Sequence, residues 1–313
     1  GNYVQTITRG LIKGQLSIFS LPSGSGKSTI GISVLCNIAC PRIWNYELNK
    51  YTTNPNYEDV GVLYVQYEMS LKYECTPKFI STISGVPTNH ILNGKYEDGE
   101  SERVDEAIKI LDESKIYVVS MPNFTTTSIE TCLRDYNINY NCQYFVWDYI
   151  SEQASINSDI AKKNGTQTRS DQVLATISSL LKDICVSTGM GGLSFTQTNA
   201  NLGTQEYMDA GVVAGSRAVQ NKADIAGVIK PLSQKEEKIL EGYMSSPKYR
   251  DKFQAFGGIK CNRVIHLYKI RFGSEEQGLK VWINLNLSNG KITEFFVTNR
   301  DNEPYKLSEV VKY

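Results

Sequence analysis

The chain has 313 residues, of which 33 are lysine or arginine, 33 are aspartate or glutamate and 41% are hydrophobic. This composition is typical of a globular protein with a sizeable core, and the zero net charge removes the simplest argument for nucleic-acid binding, a basic chain attracted to phosphate. No segment approaches the roughly 18 apolar residues of a membrane span and no signal peptide is evident, so we expect a cytoplasmic protein with no membrane partner.

Short runs rich in Ile, Val, Leu, Phe and Tyr alternate with segments of helical periodicity over the first 230 residues. The runs are Gln15–Leu21, Gly61–Gln66, Lys115–Ser120, Gln143–Tyr149, Gly192–Gln197 and Asp224–Lys230. The clearest helical segments are Lys27–Cys40 and Ser170–Cys185. Such runs suit strands that are buried on both faces, and their alternation with helices predicts an α/β fold with a mainly parallel central sheet flanked by helices.

After about residue 262 the pattern changes to an alternation of apolar and polar residues. It runs through Val264–Phe272, Gly278–Leu287 and Lys291–Val297, with a turn signal at Asn289-Gly290. This pattern predicts an antiparallel C-terminal β extension at the sheet edge. Three polar segments are instead predicted to lack regular structure, namely Tyr46–Glu58, Ser151–Ser170 and Asn199–Gly215.

The segment Leu21-Pro-Ser-Gly-Ser-Gly26-Lys27-Ser28-Thr29 lies between a predicted strand and a predicted helix. A loop in that place points backbone N–H groups and the positive end of the helix dipole at a phosphate chain. Lys27 supplies a cation for the β- and γ-phosphates, and the Ser28 hydroxyl can hold Mg²⁺. We therefore predict an ATP site that is formed by Ser23, Gly24, Ser25, Gly26, Lys27, Ser28 and Thr29.

This motif has one departure and one alternative. It usually has Gly or Ala five residues before Gly26, where this chain has Leu21. The alternative is a glycine-rich turn that precedes a helix without binding a nucleotide.

Two carboxylates follow predicted strands and are candidates for the chemistry beside the phosphates. Asp148 ends the apolar run Tyr144-Phe-Val-Trp and could orient Mg²⁺ through a water molecule. Glu68 is the last residue of the segment Val62-Leu-Tyr-Val-Gln-Tyr-Glu68, which contains another predicted strand. It could activate the attacking water, since ligands of open α/β sheets bind at the carboxyl ends of parallel strands. The alternative for Glu68 is an acid at a helix start, where it favours the dipole.

The order of these motifs resembles the RecA-like motor domain of DnaB-type hexameric replicative helicases over about residues 8–298. The matching segments are Gly10-Leu-Ile-Lys-Gly14, the phosphate loop, Gln66-Tyr-Glu68-Met69-Ser70, Val146-Trp-Asp148-Tyr149, Ser194-Phe-Thr-Gln197-Thr-Asn199, Gly215-Ser216, Ala223-Asp224 and Lys269-Ile-Arg271. The resemblance implies a RecA-like P-loop NTPase fold and a single motor domain over residues 1–313. The family's N-terminal collar is missing and the chain starts at Gly1, so we expect an isolated motor domain.

The resemblance also implies further site residues. Gln197 would sense the γ-phosphate, and Lys269 and Arg271 would reach the nucleotide of a neighbouring subunit in a ring. The alternative for this basic pair is a solvent-facing position on an amphipathic strand. The polar loops that follow the Asp148 and Gln197 strands would line a channel for single-stranded DNA, with Lys162, Lys163, Arg169, Gly215, Ser216 and Arg217 as candidate contacts. The alternative is that these loops are merely solvated.

Three departures from the family pattern indicate a divergent branch, encoded by a phage or another mobile element. Lys72 and Lys78 are present where an arginine usually follows the Glu-Met-Ser segment, Ala200 replaces another arginine, and Pro231–Asn262 is longer than expected. These differences bear on DNA contacts more than on ATP hydrolysis.

The function implied is an ATP hydrolase that uses ATP and Mg²⁺ to translocate on single-stranded DNA and unwind duplex during replication. Its expected partners are further copies of the chain in a hexameric ring and a primase or helicase loader, in a bacterial or phage-infected cell. The alternative is a RecA-like or KaiC-like ATPase that binds DNA or a protein without unwinding. A terminase or a small-molecule kinase stays open as a third class.

Overall fold

Nine of the eleven described strands form one continuous sheet. A computed structural model describes residues 3–164, 169–198, 217–247, 259–271 and 278–305. The strands are β1 Leu16–Leu21, β2 Arg42–Asn45, β3 Lys50–Thr53, β4 Gly61–Gln66, β5 Ile116–Ser120, β6 Cys142–Asp148, β7 Gly191–Gln197, β8 Ile225–Pro231, β9 Arg263–Ile270, β10 Leu279–Leu285 and β11 Ile292–Thr298.

Ten α-helices occur within the described ranges. They are α1 Tyr3–Thr8, α2 Lys27–Ala39, α3 Thr76–Ser84, α4 Thr88–Asn93, α5 Glu100–Glu113, α6 Thr126–Tyr140, α7 Ala154–Asn164, α8 Ser170–Thr188, α9 Arg217–Lys222 and α10 Gln234–Ser245, and a π-helical turn at Leu71–Cys75 precedes α3. None of the helices in this part of the chain is long and apolar enough to cross a membrane.

The sheet has the strand order β11-β10-β9-β8-β1-β7-β6-β4-β5. The six strands from β8 to β5 pair in parallel. From β8 through β11 every pairing is antiparallel. The predicted fold class is therefore confirmed, because a mainly parallel sheet carries an antiparallel extension at one edge.

Both faces of the parallel part are covered by helices, as the apolar runs predict. Along β4, Val62 and Tyr64 join a core with α2, α3 and α5, whereas Leu63 and Val65 join a second core on the opposite face with α6 and α8. Successive side chains of a strand point to opposite faces, so an uninterrupted apolar run satisfies both cores. Because β1, β4, β6 and β7 are parallel, their carboxyl ends lie side by side at one end of the strands.

The antiparallel extension has a small core of its own. Leu240 of α10 packs with Val264, Trp282, Phe295 and Phe296. The segment Pro231–Asn262, which is longer than the family pattern predicts, contains this helix. Ser233 caps α10 by accepting a hydrogen bond from the backbone N–H of Glu236.

The prediction that Tyr46–Glu58 lacks regular structure is wrong in part. Strands β2 and β3 form an antiparallel hairpin whose second strand lies inside that segment. The rings of Trp44 and Tyr51 pack edge to face at 5.3 Å between centroids, and the Arg103 guanidinium lies over the Trp44 ring. Contacts with α5 thus stabilise a hairpin that its polar sequence does not predict.

The prediction for Ser151–Ser170 is also wrong in part, because α7 occupies most of that segment. Ile156, an apolar residue among polar ones, is buried in the core that α6 and α8 share. The third such segment, Asn199–Gly215, lies outside the described residues.

Candidate nucleotide-binding site

The predicted phosphate loop connects β1 to α2 with the backbone shape that its glycines allow. Gly24 and Gly26 have φ angles of 68° and 101°, in the left-handed region that glycine adopts readily. A Cβ atom on Gly26 would lie 2.5 Å from Cδ2 of Leu287, so a substitution there would require that exposed leucine side chain to move as well. The loop ends where Lys27 begins α2, which points the helix N-terminus at the loop.

Lys27 is half-buried at this loop. Burial lowers the pKa of its ammonium, while the nearby Asp148 and Glu68 carboxylates oppose that shift. The Lys27 Nζ lies 4.8 Å from the centroid of the Tyr149 ring. Both predicted catalytic acids are therefore near enough to act on this cation electrostatically.

Asp148 ends β6 and is 5% exposed. The hydroxyl of Tyr64 donates a hydrogen bond to Oδ2, and the Ser28 hydroxyl lies beside this carboxylate. Burial raises the pKa of Asp148, while the Ser28 and Tyr64 hydroxyls and the charge of Lys27 oppose the rise.

The other oxygen of Asp148 fits the predicted metal. Oδ1 is buried and has no hydrogen-bond partner among the described residues. A buried carboxylate oxygen without a partner, beside a serine hydroxyl, is a donor set that suits the hydrated Mg²⁺ of a nucleotide site.

Glu68 is exposed two residues beyond the end of β4. The side chain of Gln66 bonds both the N–H and the carbonyl of Met69, which shapes the turn that carries Glu68. The helical turn begins at Leu71, and Ser70 caps it. Glu68 instead accepts a hydrogen bond from the Tyr149 hydroxyl at 3.2 Å. This geometry favours a carboxylate at the nucleotide site over the alternative of a helix-start acid.

Gln197 ends β7 beside the phosphate loop, in register with Leu21 of β1. Its Nε2 donates a hydrogen bond to the Tyr149 hydroxyl at 3.2 Å. The structure thus brings Lys27, Asp148, Glu68 and Gln197 together around the loop. No role is predicted for Tyr149 from the sequence, although its position directly after the strand-ending aspartate is a signal that points to the site.

Lys269 and Arg271 follow the course of β9 to its carboxyl end. Because β9 runs antiparallel to β8, that end lies beside the amino ends of the parallel strands, away from the phosphate loop. Arg271 Nη1 lies 3.3 Å from Oδ1 of Asp224, and Asp224 Oδ2 accepts the backbone N–H of Leu16 at the start of β1. Lys269 Nζ donates to the carbonyl of Asn221 at the end of α9. The predicted basic pair is therefore not brought to the phosphate loop of its own chain.

The candidate DNA contacts are only partly within the described residues. The backbones of Lys162 and Lys163 lie in α7 and that of Arg217 opens α9, but their side chains are not described. Gly215 and Ser216 lie outside the described residues. Arg169 precedes α8 and is ion-paired with Asp171.

Comparison with known proteins gives a family match, a relative in sequence and solved structures of similar fold. Residues 2–230 match the family described as DnaB-like helicase C terminal domain. The chain is 30% identical over 302 residues to the SPbeta prophage-derived uncharacterized protein YorI of Bacillus subtilis (strain 168), and the match covers 95% of this chain and 57% of that protein. The prophage origin of that relative agrees with the predicted phage or mobile-element branch.

Two solved structures are similar in fold. One is described as the structure of a DnaB-like replicative helicase and its interactions with primase, with a TM-score of 0.65 and 14% identity over 93% of this chain and 59% of that chain. The other is described as an ATPase domain, with a TM-score of 0.64 and 13% identity over 93% of this chain and 88% of that chain. The chain thus spans a little over half of the length of the curated relative and of the first structure.

Proposed function

Because the chain belongs to the DnaB-like helicase C-terminal domain family, we propose that it is an ATP-driven motor that hydrolyses ATP between the subunits of a ring. The hexameric ring would translocate on single-stranded DNA and unwind duplex during replication. The main observation behind the proposal is that the phosphate loop, Asp148, Glu68 and Gln197 all lie at the carboxyl ends of neighbouring parallel strands.

The residues of the phosphate loop would bind the nucleotide in the way that the loop sequence predicts. Free backbone N–H groups of the loop and of the first turn of α2 would face the phosphates, and Lys27 would leave the Tyr149 ring to reach the β- and γ-phosphates. Ser28 and Asp148 would hold Mg²⁺, with Asp148 acting through a water molecule. Bound Mg²⁺ supplies charge neutralisation on the phosphate oxygens during transfer.

Glu68 is the group that orients and deprotonates the attacking water. Its exposed position suits this role, because the carboxylate can approach a water molecule in line with the bond that breaks. Gln197 contacts the γ-phosphate, and its movement on phosphate release is passed to the residues that follow β7.

Arg271 and Lys269 serve the nucleotide of a neighbouring subunit. Their position at the opposite end of the strands supports this role, since a residue there cannot reach the phosphate loop of its own chain. A guanidinium supplied by a neighbour stabilises charge in the transition state and makes turnover depend on assembly.

Assembly of the subunits into a hexameric ring would also explain how a chain with zero net charge binds DNA. A few cations and backbone N–H groups per subunit, repeated around a channel, give a phosphate-binding surface without a basic outer face. A primase or a helicase loader is the further partner proposed, since one similar structure is described with primase.

Two substitutions in the chain test the chemistry. Lys27→Ala should abolish binding of a fluorescent ATP analogue, whereas Glu68→Gln should retain binding and lose hydrolysis by at least about a hundredfold. Lys109→Ala and Glu130→Gln, at surface positions on α5 and α6, are the matched controls and should behave as wild type. Full turnover by Glu68→Gln would show that the base is another residue.

Unwinding is tested separately with protein that has been shown to assemble into rings. ATPase stimulation by single-stranded DNA together with separation of a forked duplex would support the motor. DNA-stimulated ATPase without strand separation would favour the alternative, a RecA-like ATPase that binds without unwinding.

A further inference from the structure

The Tyr149 side chain contacts three residues of the nucleotide site at once. Its hydroxyl donates to Oε1 of Glu68 and accepts from Nε2 of Gln197, each at 3.2 Å. Its ring lies under the ammonium of Lys27, 4.8 Å from Nζ to the ring centroid. We call the series Gln197, Tyr149 and Glu68 the tyrosine bridge.

Each hydrogen bond of the tyrosine bridge has a defined donor: Gln197 donates to Tyr149, and Tyr149 donates to Glu68. The Gln197 amide nitrogen can only donate, and an ionised Glu68 carboxylate can only accept, so the Tyr149 proton points at Glu68. Burial, followed by the charge of Glu68, raises the pKa of the Tyr149 hydroxyl. The hydroxyl therefore keeps its proton at neutral pH and remains a donor.

The ring of Tyr149 is held in place by its neighbours. It packs against Tyr67, with 5.6 Å between the ring centroids, and the Tyr67 hydroxyl is bonded to Ser151. Tyr67 packs in turn against the buried ring of Phe124. The hydroxyl of Tyr149 thus stands at a fixed point between the ends of β4 and β7.

We propose that Tyr149 is a positioning residue that holds Glu68 in the orientation needed to activate water and couples that orientation to Gln197. The proposal rests on the proposed function of the site and adds a residue to it. Gln197 cannot move toward a γ-phosphate without changing its bond to the hydroxyl, and the hydroxyl is the partner that fixes Glu68. The presence of the γ-phosphate is therefore passed to Glu68 through one side chain.

Tyr149→Phe is the direct test, because it deletes the hydroxyl and keeps the ring against Lys27. Tyr144→Phe is the matched control, since it also deletes a tyrosine–glutamate hydrogen bond, between Tyr144 and Glu58 at the other end of β6. For Tyr149→Phe we expect kcat for ATP to fall about tenfold, the size expected for loss of hydrogen bonds that involve a charged group. The Kd of a fluorescent ATP analogue should stay within about twofold, and Tyr144→Phe should leave kcat unchanged.

Coupling is tested by combining substitutions. If Tyr149 transmits the position of Gln197, then Tyr149→Phe and Gln197→Ala together should lower kcat little more than the larger single effect. Additive losses in the double variant would overturn the coupling. Equal kcat values for Tyr149→Phe, Tyr144→Phe and the wild type would overturn the positioning role.

The proposed function can fail in a way that is distinct from failure of the bridge. A wild-type protein that neither binds the ATP analogue nor hydrolyses ATP would refute both. An active wild type whose Tyr149→Phe variant has unchanged kcat would refute the bridge alone. Thermal unfolding of each variant separates a loss of activity from a loss of the folded state.

Discussion

The Arg271 guanidinium is separated from the phosphate loop of its own chain by the length of β1. Asp224, its partner, bonds the N–H of Leu16 at one end of that strand, whereas the loop begins after Leu21 at the other. Five residues at about 3.3 Å each place the two ends about 17 Å apart. An arginine at that distance cannot contact the phosphates of its own site.

Arg271→Ala is therefore expected to leave the phosphate loop and the fold intact while removing a group from the neighbour's site. The Arg271 side chain is half-exposed, so its ion pair with Asp224 adds at most about 1 kcal/mol to stability. An arginine supplied in trans contributes about three to five orders of magnitude to turnover. ATPase activity should thus fall at least about a thousandfold with little change in the melting temperature.

The assay mixes two inactive proteins. Arg271→Ala subunits have an intact loop, and Lys27→Ala subunits have an intact arginine, so a mixed interface in the right order regains both. In rings assembled at random from equal amounts, about one interface in four pairs an intact loop with an intact arginine, because each condition holds for half of the subunits. We expect the mixture to recover about a quarter of the wild-type ATPase rate if the interfaces act independently.

Three results would refute this reasoning. One is full ATPase activity of Arg271→Ala alone, and another is no recovery in mixtures that demonstrably co-assemble. The third is a wild-type rate per chain that does not change with protein concentration, since a site shared between subunits requires assembly.

Two further predictions concern buried charges. Asp224→Asn removes the charge that faces Lys182 and Arg271, so urea unfolding should show a loss of about 3 kcal/mol. The exposed-pair control Glu130→Gln should lose under about 1 kcal/mol. Burial alone would raise the pKa of the Glu236 carboxyl, but hydrogen bonds from His266 and Lys230 hold it below its usual range. The unfolded chain then binds more protons, so the free energy of unfolding should fall as pH drops below about 4.3, and Glu236→Gln should flatten that dependence.

Strands and the phosphate loop could be predicted because their signals are local. Each core strand is a short run of mostly apolar or small residues with at most one charge, which suits a strand between two helical layers, and Gly24 and Gly26 mark the loop. The six predicted strands of the parallel part agree with the structure to within one residue at each end.

Features that depend on contacts between distant segments could not be predicted in this way. The hairpin of β2 and β3 is stabilised by packing of Trp44 with Tyr51 and Arg103, and its own sequence is polar. The tyrosine bridge joins residues that lie 81 and 48 positions apart in sequence. No spacing rule relates them, because only the strand order β1-β7-β6-β4 makes them neighbours.

The zero net charge of the chain restricts the kind of surface that could bind DNA. Among the candidate DNA contacts, Arg169 is the one whose side chain the structure describes, and it is paired with Asp171. Elsewhere Lys182 and Lys230 are ion-paired with Asp224 and Glu236. A cation that is paired with an acid of the same chain is less available to a DNA phosphate, so Arg169 alone should add little to DNA affinity or to its dependence on salt. In the proposed ring, strong binding would require that several subunits contact one strand together, which would tie DNA affinity to the same assembly that the proposed role of Arg271 requires.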